Sequence, residues 1–132
     1  MPKLSLASKG KLVSCDPRLI TVLQEAIRYI DFAVIWGHRD KEFQDKAVAE
    51  GKSQTPWPTS KHNSMPSKAV DIALWPGLYE RPKEDFYYLM GIVKGVACML
   101  GISVRCGTDW YGDGETQDQR VHDLGHIELK ED

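Results

Sequence analysis

The sequence predicts an α+β fold in which a small antiparallel sheet packs against two main helices plus a shorter one. Three observations predict it. Residues 17 to 30 and 83 to 100 repeat apolar side chains at three and four, the spacing of a one-sided helix. Residues 32 to 37, 68 to 75, 102 to 106 and 124 to 129 are short β-prone runs separated by Gly, Pro, Asn and Asp. At 132 residues and 42% hydrophobic, the chain is long enough to close a single core as one domain, with no second module, repeat or low-complexity tract.

Taken in order, Ser5 to Ser14 reads as a lead-in with a short strand or turn, because Lys9, Gly10 and Lys11 interrupt any apolar pattern. Asp16-Pro17 starts the first main helix, with aspartate at the N-cap and proline at the first helical position. Leu19, Ile20, Leu23, Ala26, Ile27 and Ile30 give that helix its buried face. The run Phe32 to Gly37 is a strand that ends at His38-Arg39-Asp40, and Asp40 caps the shorter helix, residues 41 to 50. Phe43, Ala47 and Val48 are its expected apolar stripe, and Gly51 ends it. Residues 52 to 66, with three prolines, form an ordered loop long enough to be functional. The second main helix carries Phe86, Leu89, Met90, Val93, Ala97 and Leu100, and its Gly91 and Gly95 point to close packing against a neighbour. Residues 107 to 121 are a Gly/Asp-rich loop around Trp110 and Tyr111.

Seventeen basic against nineteen acidic side chains leave a formal charge of -2, so no broad cationic surface for nucleic acid is expected. No apolar run approaches the roughly 20 residues of a membrane span, and no secretory core follows the N-terminus. Cys15, Cys98 and Cys106 are too few and too widely spaced for a disulfide framework or a cysteine-rich zinc knuckle, and read as reduced, mostly buried thiols.

The chemistry concentrates in Ser60-Lys61-His62-Asn63-Ser64-Met65-Pro66-Ser67-Lys68-Ala69-Val70-Asp71-Ile72. His62 lies in the loop and Asp71 inside an apolar strand, where an ionised carboxylate is rarely buried without a partner. Imidazole and carboxylate are ordinary Zn²⁺ ligands, and a catalytic zinc usually takes three protein ligands. The third must come from His122-Asp123-Leu124-Gly125-His126-Ile127-Glu128-Leu129. One arrangement uses His122 and His126 as an i, i+4 pair on a helix, which Gly125 and the alternation of Ile127-Glu128-Leu129 disfavour. In the other, His126 alone binds and Asp123 faces the site, which requires the pleat to break at Gly125. Glu128 shares strand parity with His126 and reads equally as its support or as surface charge. Trp57, Trp110 and Tyr111 either line a groove or pack a loop. His38 reads as a neighbour of the site or an exposed side chain.

Ser60-Lys61-His62-Asn63, Pro66-Ser67-x-Ala69-Val70-Asp71-Ile72-Ala73, the downstream Asp123-x-x-His126 and a Gly107-Thr108-Asp109-Trp110 segment together resemble the VanY-like zinc peptidases. That family holds D-alanyl-D-alanine carboxypeptidases and phage L-alanyl-D-glutamate endopeptidases that act as endolysins, and the motifs lie near the endolysin branch. The likeness runs from Gly37-His38-Arg39 to Leu129. It implies one Zn²⁺ per chain on His62, Asp71 and His126, carried by the sheet, with Asp123 as general base and Arg39 as the cation that meets substrate or oxyanion. Ser60 and Asn63 are read as shaping the loop or binding substrate, and Trp110 as a candidate substrate contact. The flanks of the last histidine, Gly125 and Ile127, stand where the family often has aromatic residues.

The implied activity is hydrolysis of the peptidoglycan stem peptide, most simply at the L-alanyl-D-glutamate bond. The alternatives are a D-alanyl-D-alanine carboxypeptidase or a non-catalytic zinc-binding module of the same fold. A monomer is expected, without membrane insertion, made in the host bacterial cytoplasm and released to the wall through a holin-type pore.

Overall fold

A computed structural model describes residues 2–110, 112, 114 and 123–131. The sheet has four strands, β1 (Phe32–Trp36), β2 (Ala69–Leu74), β3 (Val104–Cys106) and β4 (His126–Leu129), in the order β1-β2-β4-β3 with every neighbouring pair antiparallel. The helices are α1 (Leu6–Leu12), α2 (Pro17–Ala26), α3 (Lys41–Ala49) and α4 (Lys83–Met99). The α+β architecture with a small antiparallel sheet is the expected one. It has one more helix than expected.

That extra helix, α1, replaces the strand or turn read from Ser5 to Ser14. Ser5 caps it by accepting from the Ser8 backbone N–H at 3.1 Å, and only Ser8 and Leu12 are buried along its seven residues. An apolar period cannot show in so short a stretch. Its packing is partly polar: the Ser8 hydroxyl accepts from the Val34 N–H at 2.9 Å, so α1 covers the outer edge of β1. A sheet edge left open would invite pairing with another chain.

Register sorts the sheet into two faces. Val34 lies opposite Ile72, Val70 opposite Ile127 and Val104 opposite Leu129; all are buried against Leu19, Val22 and Leu23 of α2 and Leu89, Met90 and Val93 of α4. Directly opposite residues point to the same side of a sheet. The other side therefore collects Asp71 opposite His126, and Arg105 opposite Glu128 opposite Ala69. Leu89, Val93 and Ile72 have no solvent exposure, and α2 and α4 supply the helical half of the core, as their periodicity predicts.

Three expectations are corrected. On α3, Phe43 is 47% exposed and Val48 is also exposed, while Gln44 is fully buried, so the helix turns a polar residue inward. On α4, a Cβ added at Gly91 or Gly95 would meet open space, so neither glycine serves close packing. The last strand begins at His126 rather than at 124: residues 124 and 125 form a turn in which the His126 N–H returns to the Asp123 carbonyl at 3.1 Å. The break in the pleat is this turn, placed ahead of the strand. The three cysteines are unpaired, with Cys15 and Cys106 buried and Cys98 exposed. Among the described residues no helix is long and apolar enough to cross a membrane.

Candidate metal centre

Three elements deliver the site. The loop before β2 tightens into a 3-10 turn, Lys61–Asn63, closed by a capping box: the Ser60 hydroxyl accepts from the His62 N–H at 3.2 Å and the Asn63 side chain accepts from the Ser60 N–H at 3.1 Å. Asn63 also donates to the Arg39 carbonyl at 3.0 Å and to Gln44 at 3.2 Å. The Ser60 and Asn63 side chains thus frame the turn that presents His62. The Arg39 N–H returns to the His62 carbonyl at 2.8 Å, which ties the end of β1 to the same turn.

His62, Asp71 and His126 converge, all buried, with one ligand atom from each lying within 4.8 Å of the other two. His62 Nε2 and His126 Nδ1 each lie 3.1 Å from Asp71 Oδ1. The opposite ring nitrogens are also held: His62 Nδ1 meets the Gly37 carbonyl at 2.8 Å and His126 Nε2 meets Glu128 Oε1 at 2.9 Å. Gly37 can have no side chain, because a Cβ there would collide with the Lys11 carbonyl and lie 2.5 Å from Ser14 Oγ. Gly125 is equally constrained, since its Cβ would lie 2.5 Å from the Ile72 carbonyl and 2.9 Å from the Tyr79 hydroxyl.

The electrostatics are those of a cation site. Burial opposes charge on Asp71, but the imidazoles of His62 and His126 outweigh it and hold the carboxyl well below the usual range. Burial likewise opposes charge on His126, yet its hydrogen bonds to Asp71 and Glu128 raise it to about 10. Two imidazole nitrogens and a carboxylate oxygen, each with the far side of its ring or chain already fixed, suit a tetrahedral divalent ion such as zinc.

Asp123, Arg39 and Trp110, also singled out from the sequence, lie around this triad. Asp123 Oδ2 is 3.6 Å from His126 Nδ1; its side chain is 44% exposed, and burial together with the charge on Asp71 pushes its carboxyl up. Arg39 is buried, pairs with Asp71 Oδ2 at 3.5 Å, donates to Gln44 at 3.1 Å and lies over the Trp36 ring at 5.1 Å. The Trp110 ring sits 5.2 Å from the His126 ring, with the Arg105 guanidinium 5.6 Å from its centroid. Trp57 is half-buried. His38 is a scaffold residue, its Nδ1 meeting the Ser64 carbonyl at 2.9 Å. His122 and Tyr111 lie outside the described residues.

Sequence reasoning passed over four side chains that build the site. Gln44 links Arg39, Asn63 and the 52–66 loop, donating to Ser53 and the Thr55 carbonyl, and its position on α3 gives no local sign of this. Lys61 and Arg105 pair with Glu128 at 3.0 and 2.8 Å. For Arg105 a signal existed: it is the polar residue between Val104 and Cys106 in an alternating strand. Tyr79 stacks on Phe86 with its hydroxyl at Gly125.

A buried His, Asp, His cluster at the polar face of a small antiparallel sheet, with a further carboxylate beside it, is an arrangement that could hold a metal ion. The comparison with known proteins gives the family. Residues 1–130 match the model for phage L-alanyl-D-glutamate peptidase, and the chain belongs to that family. It is 27% identical to the L-alanyl-D-glutamate peptidase of Escherichia phage T5, covering 96% of this chain and 97% of that one. The crystal structure of the Serratia marcescens L-Ala D-Glu endopeptidase ChiX superposes with a TM-score of 0.74 at 26% identity, covering 96% of this chain and 89% of that one.

Proposed function

We propose that this protein is a zinc peptidase that hydrolyses the L-alanyl-D-glutamate bond of the peptidoglycan stem peptide and serves a phage as its endolysin. The observation that carries the reading is the convergence of His62, Asp71 and His126 with the Asp123 carboxylate at 3.6 Å from His126. The family and both relatives support the choice of bond.

His62, Asp71 and His126 would hold a zinc ion, which when bound would supply Lewis acidity toward the L-alanyl carbonyl and the attacking water. Asp123 takes the proton as the water oxygen adds to the carbonyl carbon. Its raised affinity for a proton suits that task, and its partial exposure leaves it open to the substrate. Arg39, fixed by Gln44 and Asp71, offers positive charge to the oxygen on which negative charge develops. When the carbon–nitrogen bond breaks, Asp123 returns its proton to the departing D-glutamyl nitrogen, leaving an alanine carboxylate and a free amine. Trp110 walls the site beside His126. The proposed place of action is the bacterial wall, reached from the host cytoplasm through a holin-type pore, with the chain working as a monomeric catalytic domain.

The test is digestion of purified sacculi with zinc-loaded protein, followed by mass spectrometry of the products. New amino termini on D-glutamate are expected. Release of terminal D-alanine instead would make the protein a carboxypeptidase, and no release at all would leave a non-catalytic metal module.

A further inference from the structure

Glu128 is buried and outside the reaction just described, and the register explains how it comes to be there. It sits on β4 two residues after His126, on the same face, between Arg105 across one strand pair and Ala69 across the other. Arg105 Nη2 donates to Glu128 Oε2 at 2.8 Å, and Lys61 Nζ reaches the same oxygen at 3.0 Å while donating to the Leu129 carbonyl at 2.6 Å. Both cations hold one carboxylate oxygen. The other, Oε1, is left to His126 Nε2 at 2.9 Å.

We infer that Glu128 is the positioning residue of the metal centre: it keeps the proton of His126 on Nε2 and so commits that ring to the metal through Nδ1. An acceptor with no proton of its own fixes the tautomer, because only an N–H can face it. His62 is set the opposite way, since the Gly37 carbonyl holds its Nδ1 proton and leaves Nε2 toward Asp71. The two histidines therefore present different ring nitrogens. Lys61 stands beside His62 in the 3-10 turn and Arg105 lies over Trp110, so the carboxylate also joins the turn, β3 and β4 into one frame. An outer partner of a metal-bound histidine commonly governs metal affinity by 10- to 100-fold.

This inference rests on the zinc reading, and the experiment separates their failures. Zinc affinity is measured by chelator competition on wild type, Glu128→Gln and Glu128→Ala, alongside imidazole ¹⁵N spectra of the zinc-loaded proteins. Wild type is expected to show one histidine ligated through Nε2 and one through Nδ1. Glu128→Ala is expected to weaken zinc by about 10- to 100-fold and to shift the His126 nitrogen signals. Glu128→Gln, whose amide oxygen still accepts from Nε2–H, is expected to lose less. If Glu128→Ala does not fold, the smaller loss and shifted signal in Glu128→Gln decide the matter. Wild-type affinity with unshifted ¹⁵N signals in either variant would overturn the role of Glu128. Absence of zinc binding by wild type would overturn the metal site itself.

Discussion

The two faces of the sheet are built from the same strands by opposite rules. On β2, Val70, Ile72 and Leu74 enter the core against α2 and α4, while Ala69, Asp71 and Ala73 face the site, and all six are buried. The apolar face is held by contacts that any well-shaped hydrocarbon provides. The polar face is held by directed bonds, each of which strands a buried partner when removed. Stability and function therefore reside on opposite sides of a single layer, and substitutions should separate them.

The largest effect is expected from Asp123→Asn. It should lower turnover by about 10²- to 10⁴-fold, the usual worth of a general base, while zinc content and melting temperature stay near wild type. Loss of the metal would instead make Asp123 a ligand and erase the distinction between holding and reacting. On the other face, Leu89→Ala should cost about 2 to 5 kcal/mol of stability, read by denaturant unfolding, because Leu89 is fully buried in the core cluster. Activity per folded molecule should survive. A loss of turnover exceeding the unfolded fraction would show that the two faces are coupled.

The smallest effect is expected beyond the end of β4, where Glu131 pairs with Lys68 and Arg18 at 2.9 Å each. Hydrogen bonds from Lys68 and then Arg18 lower its carboxyl below the ordinary 4.5, so its contribution is present above that pH and is lost as pH falls through the lowered value. Glu131→Gln should leave activity unchanged and shift the melting temperature slightly, at neutral pH and low salt only. A shift of equal size in high salt would mean that the pair does more than screened surface charge allows.

The same contrast explains what could be read from the chain. The periodic faces of α2 and α4 and the alternating strands are local patterns, and they lie where the spacing put them except at their ends, where Leu100 is exposed and the last strand starts at His126. His62 and Asp71 stood out because residue type narrows the chemistry and a buried aspartate demands company, while the choice of His126 alone came from the resemblance to a known family. The remainder depends on contacts distant in sequence. Nothing near Gln44 says that it will bond Arg39 and Asn63, and its neighbours Phe43 and Val48 argued for the opposite face of α3. Glu128 stayed ambiguous until the register set Arg105 beside it. Gly125 was noticed for its freedom, whereas its position is required by the close approach of the Ile72 carbonyl and Tyr79.

The side-chain-free Gly37 gives α1 a mechanical part in the metal centre, although that helix contributes no ligand. Its carbonyl holds His62 on one side, and the end of α1 and the residues after it press against it on the other through Lys11 and Ser14. The arrangement is an arch whose far abutment is the N-terminal helix. Whatever lifts that helix from β1, a fusion partner or a bulky residue at Ser8 included, slackens the His62 ring before any ligand is touched.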